Sequence, residues 1–308
     1  MRSRLTRLPQ IGWLADGRRL HMQDGPIDLI VEAHGAPEMV LAAYEAATRR
    51  FTGLLDELCE ELPELRKAAR ADGCFLKGDV AHRMHNAVAP FAADDFITPM
   101  AAVAGAVAEE ILGAMVQAAD LDRAYVNNGG DIALHLREGQ SFTVGLVDRP
   151  DMPGLIGKTR IAAGDAMRGV ATSGWRGRSF SLGIADAVTV LARTAAQADA
   201  AATIIANAID LPGHPAVVRC PAYDIQPDSD LGARLVTRDV GRLSSRDIVD
   251  ALETGANRAR RLVAANLING AALHLQGETY IVALKNIHRK SRLSRDKIRM
   301  KTESLMHA

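Results

Sequence analysis

Three short stretches carry side chains of the kind and spacing that bind a charged small molecule. The first is Asn127-Asn128-Gly129-Gly130-Asp131. Adjacent glycines accept positive φ and let a ligand approach the backbone, while Asn128 and Asp131 place polar groups at the rim. A hairpin turn uses the same residues, so this stretch alone fits either role. The second is Gly169-Val-Ala-Thr172-Ser173-Gly174, an apolar run ending in two hydroxyls and a glycine. Successive N–H groups at such a turn form a nest for an anion, and Thr172 and Ser173 can donate to phosphate oxygens. Arg176 and Arg178 follow closely enough to neutralise one. The plainer alternative is an ordinary polar turn. The third is Asp199-Ala-Ala-Ala-Thr203. A spacing of four puts carboxylate and hydroxyl on one helical face as hard oxygen donors suited to Mg²⁺. It serves equally well as an acid near a helix start, with a surface threonine.

Other reactive side chains are sparser. His82 and His85, at i and i+3 near Asp79, would make a two-histidine metal site but lack a clear third ligand. His135 and His274 fall in strand-like runs and read as structural. Ser181 is a nucleophile only with a base beside it. Cys59, Cys74 and Cys220 are scattered and form no Cys-x-x-Cys pair, which points to reduced thiols rather than a disulfide framework.

The elements that must hold these residues follow from changes in hydrophobic period, and those changes indicate an α+β fold. Residues 18–23 and 26–33 alternate like strands joined at Asp24-Gly25. From Pro37 to about Arg70 the apolar spacing is helical, with Pro63 dividing it into two helices. Residues 79–89 and 99–119 are further helices. Between Tyr125 and Thr172 short strand-like runs alternate with glycines and prolines, and Ala187–Ala192 is another strand. A helix over about 195–208, a loop over 212–232, a helix over 244–265 and strands near 271–276 and 279–284 complete the chain. The Gly-Gly turn and the Thr-Ser-Gly end therefore belong to strands, and Asp199 and Thr203 to a helix.

Composition narrows the class. The 308 residues carry 37 Lys+Arg against 37 Asp+Glu, a formal net charge of zero, which argues against a nucleic-acid protein. The basic start lacks the apolar core of a signal peptide. The most apolar stretch, Ala101–Ala119, holds Glu109 and Glu110 at its centre, which argues against a membrane span. A cytoplasmic protein is expected.

Taken in order, the three stretches resemble the flavin transferase family ApbE, which carries an Asn-x-Gly-Gly-Asp-like turn, a Thr-Ser-Gly turn and an Asp-Ala-x-x-Thr helix. More closely, the chain is similar to the cytoplasmic ApbE-related UPF0280 family. Gly25-Pro-Ile-Asp28, Asn128-Gly-Gly-Asp131, Gly169-Val-Ala-Thr-Ser-Gly174 and Ser181-Leu-Gly-Ile-Ala-Asp186 carry that likeness, which runs to about Lys285. The resemblance implies an ApbE-like α+β fold with a mixed β-sheet core, packed helices and a helical N-terminal portion. It implies one domain over residues 1–285, beyond which the run of Lys and Arg over 286–308 reads as a basic tail. It also implies FAD bound with Mg²⁺, the metal at Asp199 and Thr203. Asn128, Gly129, Gly130, Asp131, Thr172, Ser173 and Gly174 would then lie along the nucleotide.

An acceptor protein would receive FMN on a serine or threonine if the chain is a transferase, and FAD pyrophosphate cleavage is the related hydrolytic outcome. The chain departs from the transferases in two places. Their His-x-x-Asp-Pro segment is replaced by Phe180-Ser-Leu-Gly-Ile-Ala-Asp186, and their Lys-Gly pair and helical Asp by Ala104-Gly105 and Glu109. The losses remove acid/base and phosphate-orienting groups while leaving the binding motifs. A second class is therefore kept: a non-catalytic ligand-binding or assembly factor in sulfur or cofactor metabolism that reuses the nucleotide pocket. Aromatic residues make up only 4% of the chain, leaving Trp175 and Phe96 to stack on a flavin ring. A homo-oligomer is compatible with all of these readings.

Overall fold

The computed structural model describes residues 8–71, 73–149, 154–283 and 288–289. It opens with an antiparallel meander of β1 (Gln10–Trp13), β2 (Leu20–Asp24) and β3 (Ile27–His34). Asp24 pairs with Ile27, so the turn is Gly25-Pro26, one residue later than expected, with Gly25 supplying φ +57°. Helices α1 (Pro37–Phe51), α2 (Leu54–Glu60) and α3 (Leu62–Leu65) follow. The long helical run first breaks at Gly53, where φ is +85°, and Pro63 falls in the first turn of the short α3. After α4 (Asp79–Val88), a 3₁₀ turn over Pro99–Ala102 feeds α5 (Val103–Ala118).

Strands β4 (Arg123–Asn128), β5 (Asp131–Leu136), β6 (Ser141–Val147), β7 (Leu155–Ala162), β8 (Gly169–Ser173) and β9 (Ala187–Ala192) precede α6 (Ala195–Ala208). Next come β10 (Val217–Pro221), α7 (Ala222–Ile225), β11 (Leu235–Val240), α8 (Ser245–Ala264), β12 (Gly270–Leu275) and β13 (Glu278–Val282). Nine strands form one sheet in the order β1-β2-β3-β4-β5-β8-β9-β12-β13. The α+β class is as expected, but every pairing in this sheet is antiparallel, where a mixed sheet was anticipated. The chain returns to the sheet through hairpins and through long helical excursions that enter and leave at the same end, so no parallel crossover is needed.

Helices α1, α5, α6 and α8 cover one face of the sheet, α4 packs against α5 and α6, and the main core lies between these layers. The other face meets the β6–β7 hairpin over a smaller cluster that includes Leu134, Val144, Ile161, Val170 and Leu191. Residues 212–232, expected as loop, contain β10 and α7, and β10 pairs with β11 around a bulge. The strand is half-exposed throughout and ends on Pro221, so it shows no alternation to detect. The basic tail lies outside the described residues except for 288–289, which pair with β7 as β14 (His288–Arg289).

Pro99–Ala118 is a helical stretch long and apolar enough to cross a membrane, and half of it is buried in this domain. Where α5 meets α6, a Cβ on Gly105 would stand 2.4 Å from the Ala195 carbonyl oxygen, so only glycine permits the approach. The two helices also share polar ends. Asp199 Oδ2 accepts from the Gly105 N–H at 3.0 Å, and Glu109 Oε1 accepts from the Ala196 N–H at 2.6 Å. Each carboxylate thus satisfies donors that the first turn of a helix leaves unpaired.

Candidate functional site

The Gly-Gly turn is a two-residue hairpin loop closed by the Asn128–Asp131 pair, with φ +64° at Gly129 and +117° at Gly130. Positive φ at both positions is what such a tight loop requires. Asn127 Oδ1 accepts from the Gly130 N–H at 2.8 Å and fixes the turn. Asn128 is buried and already occupied. Its Oδ1 receives the Asp28 N–H at 3.4 Å and its Nδ2 donates to the Ala104 carbonyl at 3.2 Å. It ties β3 and β4 to the start of α5. Gly174 also has a packing reason, since a Cβ there would meet the Asp186 carbonyl oxygen at 2.4 Å.

Strand alternation separates the two hydroxyls of the second motif. Thr172 pairs with Thr189 in register, and their hydroxyls meet at 2.9 Å on the face shared with Val170 and Leu191. Ser173 pairs with Val188, whose side chain lies in the helix-side core. Ser173 therefore faces the helices and Thr172 does not. What Thr172 contributes on the helical side is its backbone N–H, which donates to Asp131 Oδ1 at 3.2 Å. The expectation that both hydroxyls lie along one ligand fails for this reason, because neighbouring strand residues point to opposite faces.

Asp131 alternates with the core residue Ala133, which places it on the helical face as well. There its charge acts on Asp199. Burial pushes the Asp131 carboxyl up to about 7, against the lowering effect of the Thr172 N–H. Asp199 is pushed well above the ordinary carboxylate range, first by burial and then by the negative charge of Asp131, despite hydrogen bonds from the Gly105 and Ala104 N–H groups. Neither acid makes an ion pair among the described residues. Thr203 lies one turn along α6, and neither its hydroxyl nor that of Ser173 has a hydrogen-bond partner among the described residues. Arg178 is exposed beside the Gly-Gly turn, its Nη1 3.1 Å from where a Gly129 Cβ would be.

Two half-buried carboxylates close enough to interact, served among the described residues only by backbone N–H groups, form an oxygen donor set for a divalent cation. Mg²⁺ commonly takes one or two carboxylates and completes its shell with water and phosphate. Asp199, Asp131 and Thr203 fit that demand, and the N–H-rich strand end with Arg178 suits a diphosphate. The pairing of Asp131 with Asp199 is not visible from either motif alone. The alternation Asp131, Ala133 against Ile132, Leu134 would have put Asp131 on the face that an amphipathic helix must cover.

The remaining candidates resolve into structural roles. Arg176 donates from Nε to Asp186 Oδ1 at 3.0 Å and stacks on Trp175 with its guanidinium carbon 4.1 Å from the ring centre. Trp175 Nε1 donates to the same oxygen at 3.2 Å, and Asp186 Oδ2 accepts from the Gln276 N–H at 2.7 Å. Phe96 is likewise covered, by Arg234. Both rings available for stacking on a flavin already carry a guanidinium on one face. Ser181 is buried, with Oγ 3.2 Å from Asn207 Oδ1 and no base beside it among the described residues. His135 bonds to the Leu121 carbonyl and His274 to Thr279. No described group of three or more His, Cys, Asp or Glu side chains has metal-holding geometry, so His82 and His85 acquire no third ligand.

Comparison with known proteins follows the same motifs. A family model described as "AbpE bacteria" matches residues 11–281. A UPF0280 protein of Methanopyrus kandleri is 41% identical over 129 residues, covering 42% of this chain and 48% of its own. One from Archaeoglobus fulgidus is 38% identical over 132 residues, covering 43% and 51%. The chain spans about half the length of these curated relatives. A mutant of the flavin transferase ApbE from Vibrio cholerae aligns over 90% of this chain and 97% of its own, at 12% identity and a TM-score of 0.36. Matched by that family model over most of its length, the chain belongs to the family described as "AbpE bacteria", and the curated proteins it resembles over part of their length are UPF0280 proteins.

Proposed function

We propose that the cluster between the β4–β5 turn, the end of β8 and the starts of α5 and α6 binds the diphosphate of FAD or a related nucleotide together with Mg²⁺. The observation that carries this reading is the Asp131–Asp199 pair, two carboxylates raised by burial, Asp199 further by the charge of Asp131, with no ion-pair partner among the described residues. Asp199 and Asp131 would hold the metal, with Thr203 one turn away on the same helical side. Ser173, the Thr-Ser-Gly backbone and Arg178 would orient phosphate oxygens. When bound, Mg²⁺ would withdraw charge from the diphosphate, which favours attack at phosphorus. Asp131 and Asp199 would hold the metal in a partly dry setting, and the Gly105 and Ala104 N–H groups orient the Asp199 carboxylate.

If the site is catalytic, the reaction is FMN transfer to a protein hydroxyl or cleavage of the FAD pyrophosphate, in a cytoplasmic setting. The second reading, binding without chemistry, is favoured by a specific observation. Ser181 has no base, and the segment around it is an Asp186-centred anchor rather than a loop presenting a histidine.

Titration of the purified protein with FAD, with and without Mg²⁺, tests the site. Mg²⁺-dependent binding is expected, weakened roughly 100-fold or more by Asp199→Ala. Equal binding in the variant, or no binding of FAD, FMN or adenine nucleotides, overturns the reading. Release of AMP from bound FAD then separates catalysis from binding alone.

A further inference from the structure

Asn128 stands between the two carboxylates' supports without touching either acid by a hydrogen bond of its own. It is 7% exposed and alternates with the core residues Ala124 and Val126, so it lies on the helical face of β4. In register it falls between Leu29 of β3 and Asp131 of β5. Directly opposed residues on one face have Cβ atoms about 5 Å apart, which makes Asp131 its immediate neighbour.

Both ends of the Asn128 amide meet backbone. Oδ1 accepts from the Asp28 N–H at 3.4 Å, and Nδ2 donates to the Ala104 carbonyl at 3.2 Å. The N–H groups of Ala104 and Gly105 in turn donate to Asp199, Gly105 at 3.0 Å. Close packing of Gly105 against the Ala195 carbonyl limits movement of this stretch toward α6. A short side chain with one donor end and one acceptor end is what the two backbone groups require. Aspartate would set an acceptor against the Ala104 carbonyl, and leucine would leave both groups unpaired.

Asp131 and Asp199 belong to different elements, and the start of α5 orients the second of them. An ion that uses both therefore depends on how that start is held against the strands. We infer that Asn128 is a positioning residue for the cation, holding the Asp199 carboxylate toward that of Asp131 through Ala104 and Gly105. The inference rests on the metal and nucleotide reading of this site, and it gives Asn128 no contact with either ligand. Hydrogen bonds one step behind a metal ligand orient it and set its affinity in the same way.

The test follows Mn²⁺ binding to the full chain, with free Mn²⁺ read from its electron paramagnetic resonance signal. Asn128→Ala should bind Mn²⁺ roughly tenfold more weakly than wild type. Asp199→Ala should lose more, and adding Asn128→Ala to it should change nothing further, because the group through which Asn128 acts is gone. Asn128→Leu, close in volume to the native side chain, should repeat the loss without opening a cavity. A wild type that takes up no Mn²⁺, alone or with FAD, or an Asp199→Ala variant that binds as tightly, overturns the site reading and this inference with it. With those two results as expected, wild-type affinity in a folded Asn128 variant, or an equal further loss in the Asp199→Ala background, overturns the inference alone. Wild type supplies a check that needs no folded Asn128 variant. In ¹⁵N–¹H spectra, Mg²⁺ should shift the Gly105 amide and the Asn128 side-chain amide over the same concentration range, and neither in Asp199→Ala. Movement at Gly105 with a stationary Asn128 side chain also overturns it.

Discussion

Two acidic pairs lie about helices α5 and α6, Glu109 with Glu110 on α5 and Asp199 of α6 with Asp131 of β5, and their surroundings differ in one respect. Glu109 and Glu110 face Arg83, and Glu110 also faces Arg50 at 2.6 Å. Burial works against ionising Glu110, yet hydrogen bonds from Arg50 and Arg83 bring its carboxyl below the ordinary range. Asp131 and Asp199 have only backbone donors, and both are raised. The first pair is finished as protein. The second has no cation among the described residues, and that difference separates a scaffold from a site built beside it.

The seam between the pairs gives the largest expected effect. Gly105→Ala drives a methyl into the Ala195 carbonyl, with backbone on both sides, and should cost about 3 kcal/mol or more in denaturant unfolding. A variant as stable as wild type would mean that the helices can separate freely. Next, Arg83→Leu strips Glu109 and Glu110 of a shared partner. Because Arg83 is one-third exposed, a loss of about 2 kcal/mol is expected, without change in FAD affinity. A fall in affinity as large as that of Asp199→Ala would erase the distinction between the two pairs.

The pH response is smaller and has a definite sign. The folded state holds a proton on Asp131 up to about 7, against an ordinary value of 3.8. The contribution of this group to stability is therefore full below the ordinary value and is lost as pH rises through the folded one. Without metal, unfolding free energy should fall by on the order of 1–2 kcal/mol between pH 5 and 8. Asp131→Asn should flatten that slope, and Mg²⁺ should offset the loss in wild type only. A wild-type profile already flat in chelator would show that the two carboxylates are well solvated.

The smallest effect distinguishes faces of one strand. Thr172→Val removes the Thr189 hydroxyl contact and should cost about 1 kcal/mol with nucleotide affinity unchanged. Ser173→Ala should leave stability alone and weaken nucleotide binding several-fold. The reverse result would place the ligand on the far side of the sheet.

Much of the fold was legible because its signals are local. The period-2 runs of β2 and β3 and the apolar spacing of the helix over 244–265 are each set by residues near one another in the chain; the reciprocal Ser244–Asp247 box that caps α8 emerges from the structure. Hidden features depend on distant partners or on the absence of burial. The half-exposed β10 has no alternation, and the break at Gly53 precedes the more conspicuous Pro63. At the site, residue types pointed to stretches that the fold brings together but not to the face that each side chain takes. Asn128 and Gly174 look like ligand contacts in sequence and are consumed by packing against Ala104 and Asp186. Asp131 looks like a turn residue, and only the helix laid over β5 makes it half of a charged pair.

The exchange of carboxylates between α5 and α6 also bears on the order in which the chain assembles. Ala102, which precedes α5, provides no side-chain cap, and the Gly105 N–H finds its acceptor in Asp199, 94 positions later. The opening turn of α5 cannot be completed while that helix is being made, or by any local folding event. It must wait for β4 through β9 to form and for α6 to dock, a contact of high sequence separation that closes late. In native-state hydrogen exchange, the first amides of α5 should therefore open together with α6 rather than with the rest of their own helix.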